Sequence, residues 1–266
     1  MSRLNRLPYI MLAPNGARLG KSDHPALPVT IAETVSAARA AHEAGAQALH
    51  AHVRDPEGKH VLDAGLYREL IAEMERAVPH MPVQITTEAV GRYTPAEQRA
   101  LVREVMPEGV SVALREMWPE PGPDAEAAKF YGWAKEAGIA VQHILYSPDD
   151  VRRLVGLAAD GDVPAPLQML FVLGRYATPA EGRPGDLNGF LAASVDAPEG
   201  SEWAVCAFGR AERACLLAAA RHGGKMRIGF ENNILRPDGG PARDNAEQVI
   251  GLCEALASEG LLPASV

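Results

Sequence analysis

The sequence predicts a single-domain (β/α)8 barrel over residues 1–266. Short apolar strands alternate with helical patterns eight times along the chain, and the chain has a typical length for this fold. No linker, low-complexity run or change in composition divides it. Most strands lack an alternation of polar and apolar residues, as expected where both faces of a sheet are covered. A doubly wound open sheet shares that last feature, but it rarely needs eight such regular units.

Each predicted strand is a short apolar run bounded by turn or helix-start residues. The first, at residues 9–13, is followed by the turn signal Pro14-Asn15-Gly16. The second starts at Gln47 and ends in a pair of histidines. The other six strands are predicted at residues 83–87, 110–114, 139–145, 167–173, 203–208 and 225–231.

Local capping signals place the helices between these strands. Capping boxes begin at Thr30 and Thr94, because a Glu follows three residues after each Thr. Asp63, Asp124 and Ser147 are side chains of the kind that begin helices, and each precedes a helical pattern. The remaining helices are predicted near residues 187–195, 211–222 and 246–258.

Composition argues against several classes of protein. The formal net charge of -8 argues against a nucleic-acid-binding surface. The chain has no apolar stretch of about 18 residues and no apolar signal segment at its N-terminus, so no membrane partner is predicted. The three cysteines lack Cys-x-x-Cys spacing, which favours a reducing compartment. We therefore expect a cytoplasmic protein.

A histidine pair, His50 and His52, stands at the end of the second strand. Because side chains alternate across a strand, the two imidazoles point the same way, one residue apart. Two imidazoles at that spacing can bind a single metal ion. His-x-His alone is a weak signal, and the sequence leaves open that both are ordinary polar strand residues.

Glu231 is the candidate third ligand, although it lies far away in the sequence. In a (β/α)8 barrel the carboxyl ends of all strands form one face, and closure places strand eight two positions from strand two. His50, His52 and Glu231 are therefore predicted to meet at the barrel mouth. Two imidazoles and one carboxylate leave a coordination position open, as in catalytic zinc sites. Alternatively, Glu231 forms an ion pair with Arg227, four residues earlier.

Several segments resemble the β-keto acid cleavage enzyme family, typified by 3-keto-5-aminohexanoate cleavage enzyme. They are residues 12–17 in the first strand and turn, residues 25–30 before the first helix, and residues 44–55 in the metal-binding strand. Further matches are residues 171–174, residues 203–205 with Gly209-Arg210, and residues 223–233. Each piece is short, but their order and spacing over almost the whole chain are specific.

The resemblance implies a barrel that binds Zn²⁺ through His50, His52 and Glu231 and acts on a β-keto acid and acetyl-CoA. The family's reaction gives acetoacetate and a new acyl-CoA by a cleavage of the retro-Claisen type. Zinc acts in it as a Lewis acid on the keto oxygen and the carboxylate. Arg227 is implied as a fixed cation for an oxyanion or a carboxylate. The resemblance also leads us to expect a homo-oligomer.

The same resemblance places substrate-positioning hydroxyl groups at Thr86 and Ser111. For each of them, a hydroxyl bonded to the backbone is an equally good interpretation. Arg18 is a candidate contact for a polar tail of the substrate, with a surface salt bridge as the alternative.

Departures from the family pattern concern the catalytic base. Where the family usually has an Asp after its Glu ligand, thought to act with the Arg as general base, this chain has Asn232. An amide cannot take that proton at neutral pH. Glu88 stands where the family tends to have a Gly pair, so it is a candidate catalytic residue, a selector of cationic substrates, or a solvated loop residue. Gln142 and His143 replace expected acidic residues, and His143 is a candidate base or substrate contact.

Three functions remain open from the sequence. The first is a β-keto acid cleavage enzyme with an altered base. The second is another zinc-dependent barrel hydrolase or aldolase, with His143 as an extra metal ligand. The third is an inactive metal-binding paralogue, an interpretation that Asn232 suggests.

Overall fold

The computed structural model describes residues 2–175 and 180–263. Within these residues, eight parallel strands alternate with helices. The strands are β1 (Ile10–Leu12), β2 (Ala48–Ala51), β3 (Val83–Thr86), β4 (Gly109–Ala113), β5 (Ala140–Leu145), β6 (Gln168–Arg175), β7 (Glu202–Ala207) and β8 (Lys225–Ile228). A two-residue strand, Ala180–Glu181, pairs antiparallel with the end of β6.

The sheet closes on itself. β1 lies between β2 and β8, because Met11 is paired in parallel with both Ala48 and Arg227. On the far side β5 pairs with β6, where His143 lies opposite Met169. The remaining neighbours along the ring also pair in parallel. The predicted (β/α)8 barrel is therefore confirmed.

Helices surround the barrel at the predicted places. They are α1 (Ile31–Glu43), α2 (Ala64–Ala77), α3 (Pro95–Val105), α4 (Leu114–Met117), α5 (Ala125–Glu136), α6 (Pro148–Ala159), α7 (Leu187–Ala193), α8 (Glu212–Arg221) and α9 (Asn245–Ser258). Both predicted capping boxes form, at Thr30 and Thr94. Two short helical segments were not predicted: the single turn α4, where Ala113 offers no side-chain cap, and a 3-10 turn at Pro184–Asp186 before α7. Among the described helices, none is both long and apolar enough to cross a membrane.

The barrel interior is apolar at its base and polar near the carboxyl ends of the strands. Leu4, Met11, Ala48 and Ala140 form a small buried cluster at the base. The N-terminal segment is held there because Gln168 Nε2 donates a hydrogen bond to the Leu4 carbonyl at 2.8 Å. Buried polar side chains lie nearer the mouth, among them His50, Gln84, Thr86 and Arg227. The base is thus filled in the described part of the chain, and the cavity with polar residues opens at the mouth.

One predicted strand was too long. β8 ends at Ile228, and Glu231 lies in the turn that follows it rather than on the strand. Gly229 has a φ of 142°, a backbone conformation that ends the strand. Similarly, β2 ends at Ala51, one residue before His52. The two ends are nevertheless adjacent, because both lie at the mouth of the barrel next to β1.

Candidate metal centre at the barrel mouth

His50, His52 and Glu231 meet at the mouth of the barrel. Glu231 Oε2 lies 3.3 Å from His50 Nε2 and 3.4 Å from His52 Nε2. One ligand atom from each residue lies within 4.8 Å of the other two, and all three residues are buried. A tetrahedral ion with ligand bonds of about 2.0–2.1 Å separates its ligand atoms by about 3.3 Å. The predicted convergence of the three side chains is therefore confirmed, and the group could hold a metal ion.

Asn15, in the turn after β1, fixes the backbone at His52. Its Nδ2 donates to the His52 carbonyl at 2.9 Å, and its Oδ1 accepts from the His52 backbone N–H at 3.2 Å. Arg54 in turn holds that loop, since its Nη2 donates to the carbonyls of Asn15 and Gly16 at 3.1 and 2.6 Å. The first βα loop and the histidine segment therefore form one rigid unit.

Two glycines let Glu231 approach this unit. Gly16, with a φ of 59°, faces Glu231 so closely that an added Cβ would lie 2.6 Å from Glu231 Cγ. A Cβ at Gly229 would lie 2.3 Å from the carbonyl oxygen of Ala13. Real Cβ atoms do not pack at such distances, because close-packed interiors leave no space for the extra carbon. The carboxylate thus reaches the histidines because both positions lack a side chain.

The electrostatics of the three side chains suit a cation. Although burial raises it, the pKa of the Glu231 carboxyl is held well below its usual range by Arg227 and the two imidazoles. Burial lowers the pKa of His52 to about 3, so the ring is neutral at pH 7. Neither ring nitrogen of His52 meets hydrogen-bond geometry with any described residue. A neutral imidazole beside an ionised carboxylate is the donor set that zinc takes in proteins.

Arg227 lies on β8 beside this group, with its guanidinium buried. Its Nη2 donates to Glu231 Oε1 at 2.9 Å and to Asn232 Oδ1 at 3.2 Å, and it contacts Cys206 Sγ at 3.4 Å. Glu231 therefore forms the ion pair that the sequence left as an alternative, and it faces the histidines as well. The Nε and Nη1 atoms of Arg227 are buried without a hydrogen-bond partner in the described part of the chain. Two donors are thus available for an anion bound at the mouth.

Glu88 stands beside the metal candidates and is not a solvated loop residue. Its side chain is 18% exposed, its Oε1 lies 3.4 Å from Arg18 Nη2, and its Oε2 lies 3.8 Å from His52 Nδ1. Burial, reinforced by the charge of Glu231, raises the pKa of Glu88 to about 7. Arg18 therefore forms a salt bridge, as one interpretation of the sequence expected, but at the mouth of the barrel.

These residues line a cavity of about 430 Å³. Its apolar wall is formed by Ala113, Ile144, Val172 and Phe208. The polar part of its lining comprises Arg18, His50, His52, Thr86, Glu88, Arg115, Glu116, Tyr146, Ser147, Arg175, Arg227, Glu231 and Asn232. A cavity lined by charged and polar side chains on one side and by apolar side chains on another fits a small organic acid with an apolar portion.

The two predicted hydroxyl groups differ in their positions. Thr86 lines the cavity, and its Oγ1 also accepts a hydrogen bond from the Glu88 backbone N–H at 3.1 Å. Ser111 is fully buried in β4 and does not line the cavity. Ala113, two residues further along β4, lines it instead. Ser111 is paired in register with Thr86, yet it is not among the residues that line the cavity.

His143 is not brought to this site. The residues on either side of it, Gln142 and Ile144, face the barrel interior, so alternation turns His143 toward the helices. Its ring centroid lies 5.2 Å from that of Tyr131 on α5, and both residues line a separate cavity of about 420 Å³. Burial lowers the pKa of His143 to about 4. The expectation that His143 acts as a base, a substrate contact or a metal ligand therefore lacks support from its position.

The sequence interpretation missed other residues of the site. Gln84 contacts His50, Asn15 fixes His52, and the Glu116 carboxylate accepts a hydrogen bond from the Ala89 backbone N–H at the cavity edge. One signal was available, because Gln84 is an isolated polar residue inside the apolar strand β3 and lies two residues before Thr86. Residues two apart share a face of a strand, so Gln84 was a candidate for the interior.

Comparison with known proteins agrees with this geometry. A model of the beta-keto acid cleavage enzyme family matches residues 8–266. The 3-keto-5-aminohexanoate cleavage enzyme of Fusobacterium nucleatum subsp. nucleatum is 28% identical over 258 residues, covering 93% of this chain and 92% of the relative. The 3-oxoadipate:acetyl-CoA acetyltransferase of Cupriavidus necator is 25% identical over 260 residues, covering 92% of this chain and 88% of the relative.

Structural similarity supports the fold independently. The structure of ObcA in a binary complex with oxaloacetate superposes with a TM-score of 0.71 at 16% sequence identity, covering 89% of this chain and 64% of the ObcA chain. At that identity the similarity establishes the barrel alone. The family match, in contrast, spans all eight barrel strands and includes His50, His52 and Glu231. The chain therefore belongs to the beta-keto acid cleavage enzyme family.

Proposed function

We propose that this enzyme joins a β-keto acid to the acetyl group of acetyl-CoA, giving acetoacetate and a new acyl-CoA, with a zinc ion held by His50, His52 and Glu231. In the net reaction the C2–C3 bond of the keto acid breaks and C2 forms a bond to the acetyl carbonyl carbon. The CoA thiol receives the acyl group that remains. The name of the Cupriavidus necator relative, which includes acetyl-CoA as the acetyl donor, supports this reaction type.

The observation that carries the proposal is the position of Arg227 beside the metal candidates. A bound zinc ion supplies a Lewis acid for the keto oxygen and carboxylate of the substrate. Arg227 Nη2 is bonded to Glu231, whereas Nε and Nη1 have no hydrogen-bond partner in the described residues. These two donors bind the substrate carboxylate or an oxyanion, and they need no reorganisation because the guanidinium is already fixed.

Glu88 is our proposed proton acceptor. Three glutamates line the cavity within the described residues: Glu88, Glu116 and Glu231. Glu231 is committed to Arg227 and the histidines, and Glu116 is bonded to the Ala89 backbone N–H at 2.9 Å. Glu88 Oε1 lies 3.4 Å from Arg18 Nη2 and its Oε2 lies 3.8 Å from His52 Nδ1, so its carboxylate is the least tightly held of the three and the one best placed to take a proton from bound substrate. The apolar wall formed by Ile144, Val172 and Phe208 excludes water from the acyl part.

The function is tested with the purified protein, a measured zinc content, acetyl-CoA and a panel of β-keto acids that includes 3-oxoadipate and 3-keto-5-aminohexanoate. Mass spectrometry quantifies both products. We expect acetoacetate and the new acyl-CoA in equal amounts, with no turnover when acetyl-CoA is omitted or the metal is removed by a chelator.

Two other outcomes would contradict the proposal. Metal-dependent cleavage that needs no acetyl-CoA would indicate a barrel hydrolase or aldolase. Zinc-loaded protein that turns over no member of the panel would indicate a binding or regulatory paralogue. Asn232 is the reason to consider that function, because its amide cannot act as the catalytic base.

A further inference from the structure

We propose that Gln84 and Gln142 are positioning residues that fix the tautomer of His50 and thereby make its Nε2 the metal-binding atom. Neither glutamine is among the residues that line the mouth cavity. Both are buried in the barrel, at 2% and 1% exposure, and they form a chain of hydrogen bonds that ends on the His50 ring. The inference rests on the proposed function only in so far as a zinc ion is the group that His50 binds.

The contacts define the direction of this chain. His50 Nδ1 lies 2.8 Å from Gln84 Oε1. A carbonyl oxygen only accepts hydrogen bonds, so Nδ1 must carry the proton and donate it. The lone pair of the neutral ring is then on Nε2, which is the nitrogen that faces Glu231 Oε2 at 3.3 Å.

Gln142 fixes which end of the Gln84 amide faces His50. Gln84 Nε2 donates a hydrogen bond to Gln142 Oε1 at 3.0 Å, across the barrel interior from β3 to β5. If the Gln84 amide turned over while Gln142 kept the orientation it has in this structure, its NH2 group would face His50 Nδ1 and its oxygen would face the Gln142 oxygen. Two oxygens without a proton between them repel, and burial makes that arrangement costly. The neutral amide of Gln142 therefore orients the amide of Gln84, at a position where the family resemblance led us to expect an acidic residue.

The other tautomer would not serve the site. With the proton on Nε2, His50 would point an N–H bond at the position between the three ligand atoms and would offer no lone pair there. A second hydrogen bond to a histidine ligand is how metalloproteins choose the ring orientation and the ligating nitrogen. His52 lacks such a partner, because its Nδ1 lies 3.8 Å from Glu88 Oε2 and meets hydrogen-bond geometry with no described residue. The two glutamines thus act on one of the two histidines.

Zinc affinity of the full-length protein, measured by competition with a fluorescent chelator, tests the chain. We expect Gln84→Leu to weaken zinc binding by about 10- to 100-fold, the usual effect of removing such a partner. Gln84→Glu keeps an acceptor oxygen for Nδ1, so its affinity should equal or exceed that of the wild type. Gln142→Leu should weaken binding less, and the double variant Gln84→Leu/Gln142→Leu should be no weaker than Gln84→Leu alone, because Gln142 acts through Gln84.

Gln98→Leu is the matched control. Gln98 is a fully buried glutamine on α3 whose amide has no hydrogen-bond partner in the described residues. It is not among the residues that line the mouth cavity. Its replacement should leave zinc affinity unchanged. A zinc dissociation constant for Gln84→Leu within twofold of the wild type, or a fall in affinity equal to that of Gln98→Leu, would overturn the proposal.

A second measurement needs neither metal nor turnover. Long-range ¹H–¹⁵N spectra of metal-free, ¹⁵N-histidine-labelled protein report which ring nitrogen carries the proton. We expect His50 to be protonated at Nδ1 in the wild type and in Gln84→Glu, and to lose that preference in Gln142→Leu and Gln84→Leu. A wild-type spectrum with the proton on Nε2 would overturn the proposal even if the protein binds zinc. Conversely, an enzyme without β-keto acid activity would contradict the proposed function but not this result.

Discussion

Arg227 and Glu231 share one buried ion pair, in which Arg227 Nη2 donates to Glu231 Oε1 at 2.9 Å. The other carboxylate oxygen lies 3.3 Å from His50 Nε2 and 3.4 Å from His52 Nε2. Glu231 therefore forms a structural ion pair through one oxygen and faces the other two candidate metal ligands with the other. The arrangement places the charge of Arg227 next to the candidate metal position, because Glu231 contacts both.

We expect His50→Ala to abolish metal retention. It removes one of three protein ligands, and the two that remain do not hold zinc in a closed site. Metal content after gel filtration in a zinc-containing buffer, followed by desalting, measures the effect. His80→Ala is the control, since His80 is exposed and precedes β3, at the end of the strand opposite the mouth. A His50→Ala protein that still carries stoichiometric zinc would show that the ion binds elsewhere.

Arg227→Lys should separate catalysis from metal binding. Lysine keeps a positive charge near Glu231, so we expect zinc content to be maintained. It loses the fork that lets Nη2 bind Glu231 while Nε and Nη1 remain without a partner in the described part of the chain. We expect kcat for β-keto acid cleavage to fall by about 100-fold or more, as on loss of a fixed oxyanion donor. Steady-state kinetics at measured zinc content are compared with those of Arg221→Lys, a surface arginine paired with Glu259. If kcat of Arg227→Lys equals that of the wild type, Arg227 has no direct role in catalysis.

The catalytic base is tested by rescue. Glu88→Gln keeps the shape of the side chain but cannot accept a proton, so we expect kcat to fall by about 100- to 10,000-fold. Asn232→Asp places a carboxylate where Arg227 Nη2 already donates to Asn232 Oδ1 at 3.2 Å. In the Glu88→Gln background we therefore expect Asn232→Asp to restore part of the lost activity. Asn188→Asp, an exposed position on α7, is the control for added charge. Full activity of Glu88→Gln would instead point to a role in substrate selection.

Most of the fold was predictable because its signals are local. The Thr30 and Thr94 capping boxes form as the sequence indicates, and barrel closure then brings His50 and Glu231 together. Which side a strand residue faces was less predictable, because the short apolar strands show no clear alternation. The resemblance suggested His143 and Ser111 as substrate contacts, but His143 faces α5 and neither residue is among those that line the mouth cavity.

The rest of the site depends on contacts between distant segments. Asn15 was predicted only as part of a turn, because nothing in a turn signal indicates that its amide would bond both backbone groups of His52. Gln84 has no motif of its own, and its role follows from the position of Gln142 on another strand. Such residues become visible only when the barrel fixes the register between strands.

His143→Phe should change acid stability without changing catalysis. Burial against Tyr131 lowers the pKa of His143 to about 4, below the ordinary value of about 6.5. The unfolded chain therefore binds a proton that the folded protein does not, and the stability from the neutral ring is lost as pH falls from about 6.5 to about 4. Over that interval the wild type should lose about 3 kcal/mol more of its unfolding free energy than the phenylalanine variant, which has no group to titrate there.

Urea unfolding of both proteins at pH 7 and at pH 4.5, in the presence of a chelator, measures this difference. The other histidines cancel in the comparison because both proteins contain them. Zinc affinity and kcat at pH 7 should match those of the wild type, since His143 faces α5 and lies outside the mouth cavity. Parallel loss of stability in the two proteins would contradict a buried neutral ring. A fall in zinc affinity or kcat would instead indicate that His143 acts in metal binding or catalysis, which is one of the interpretations of the sequence.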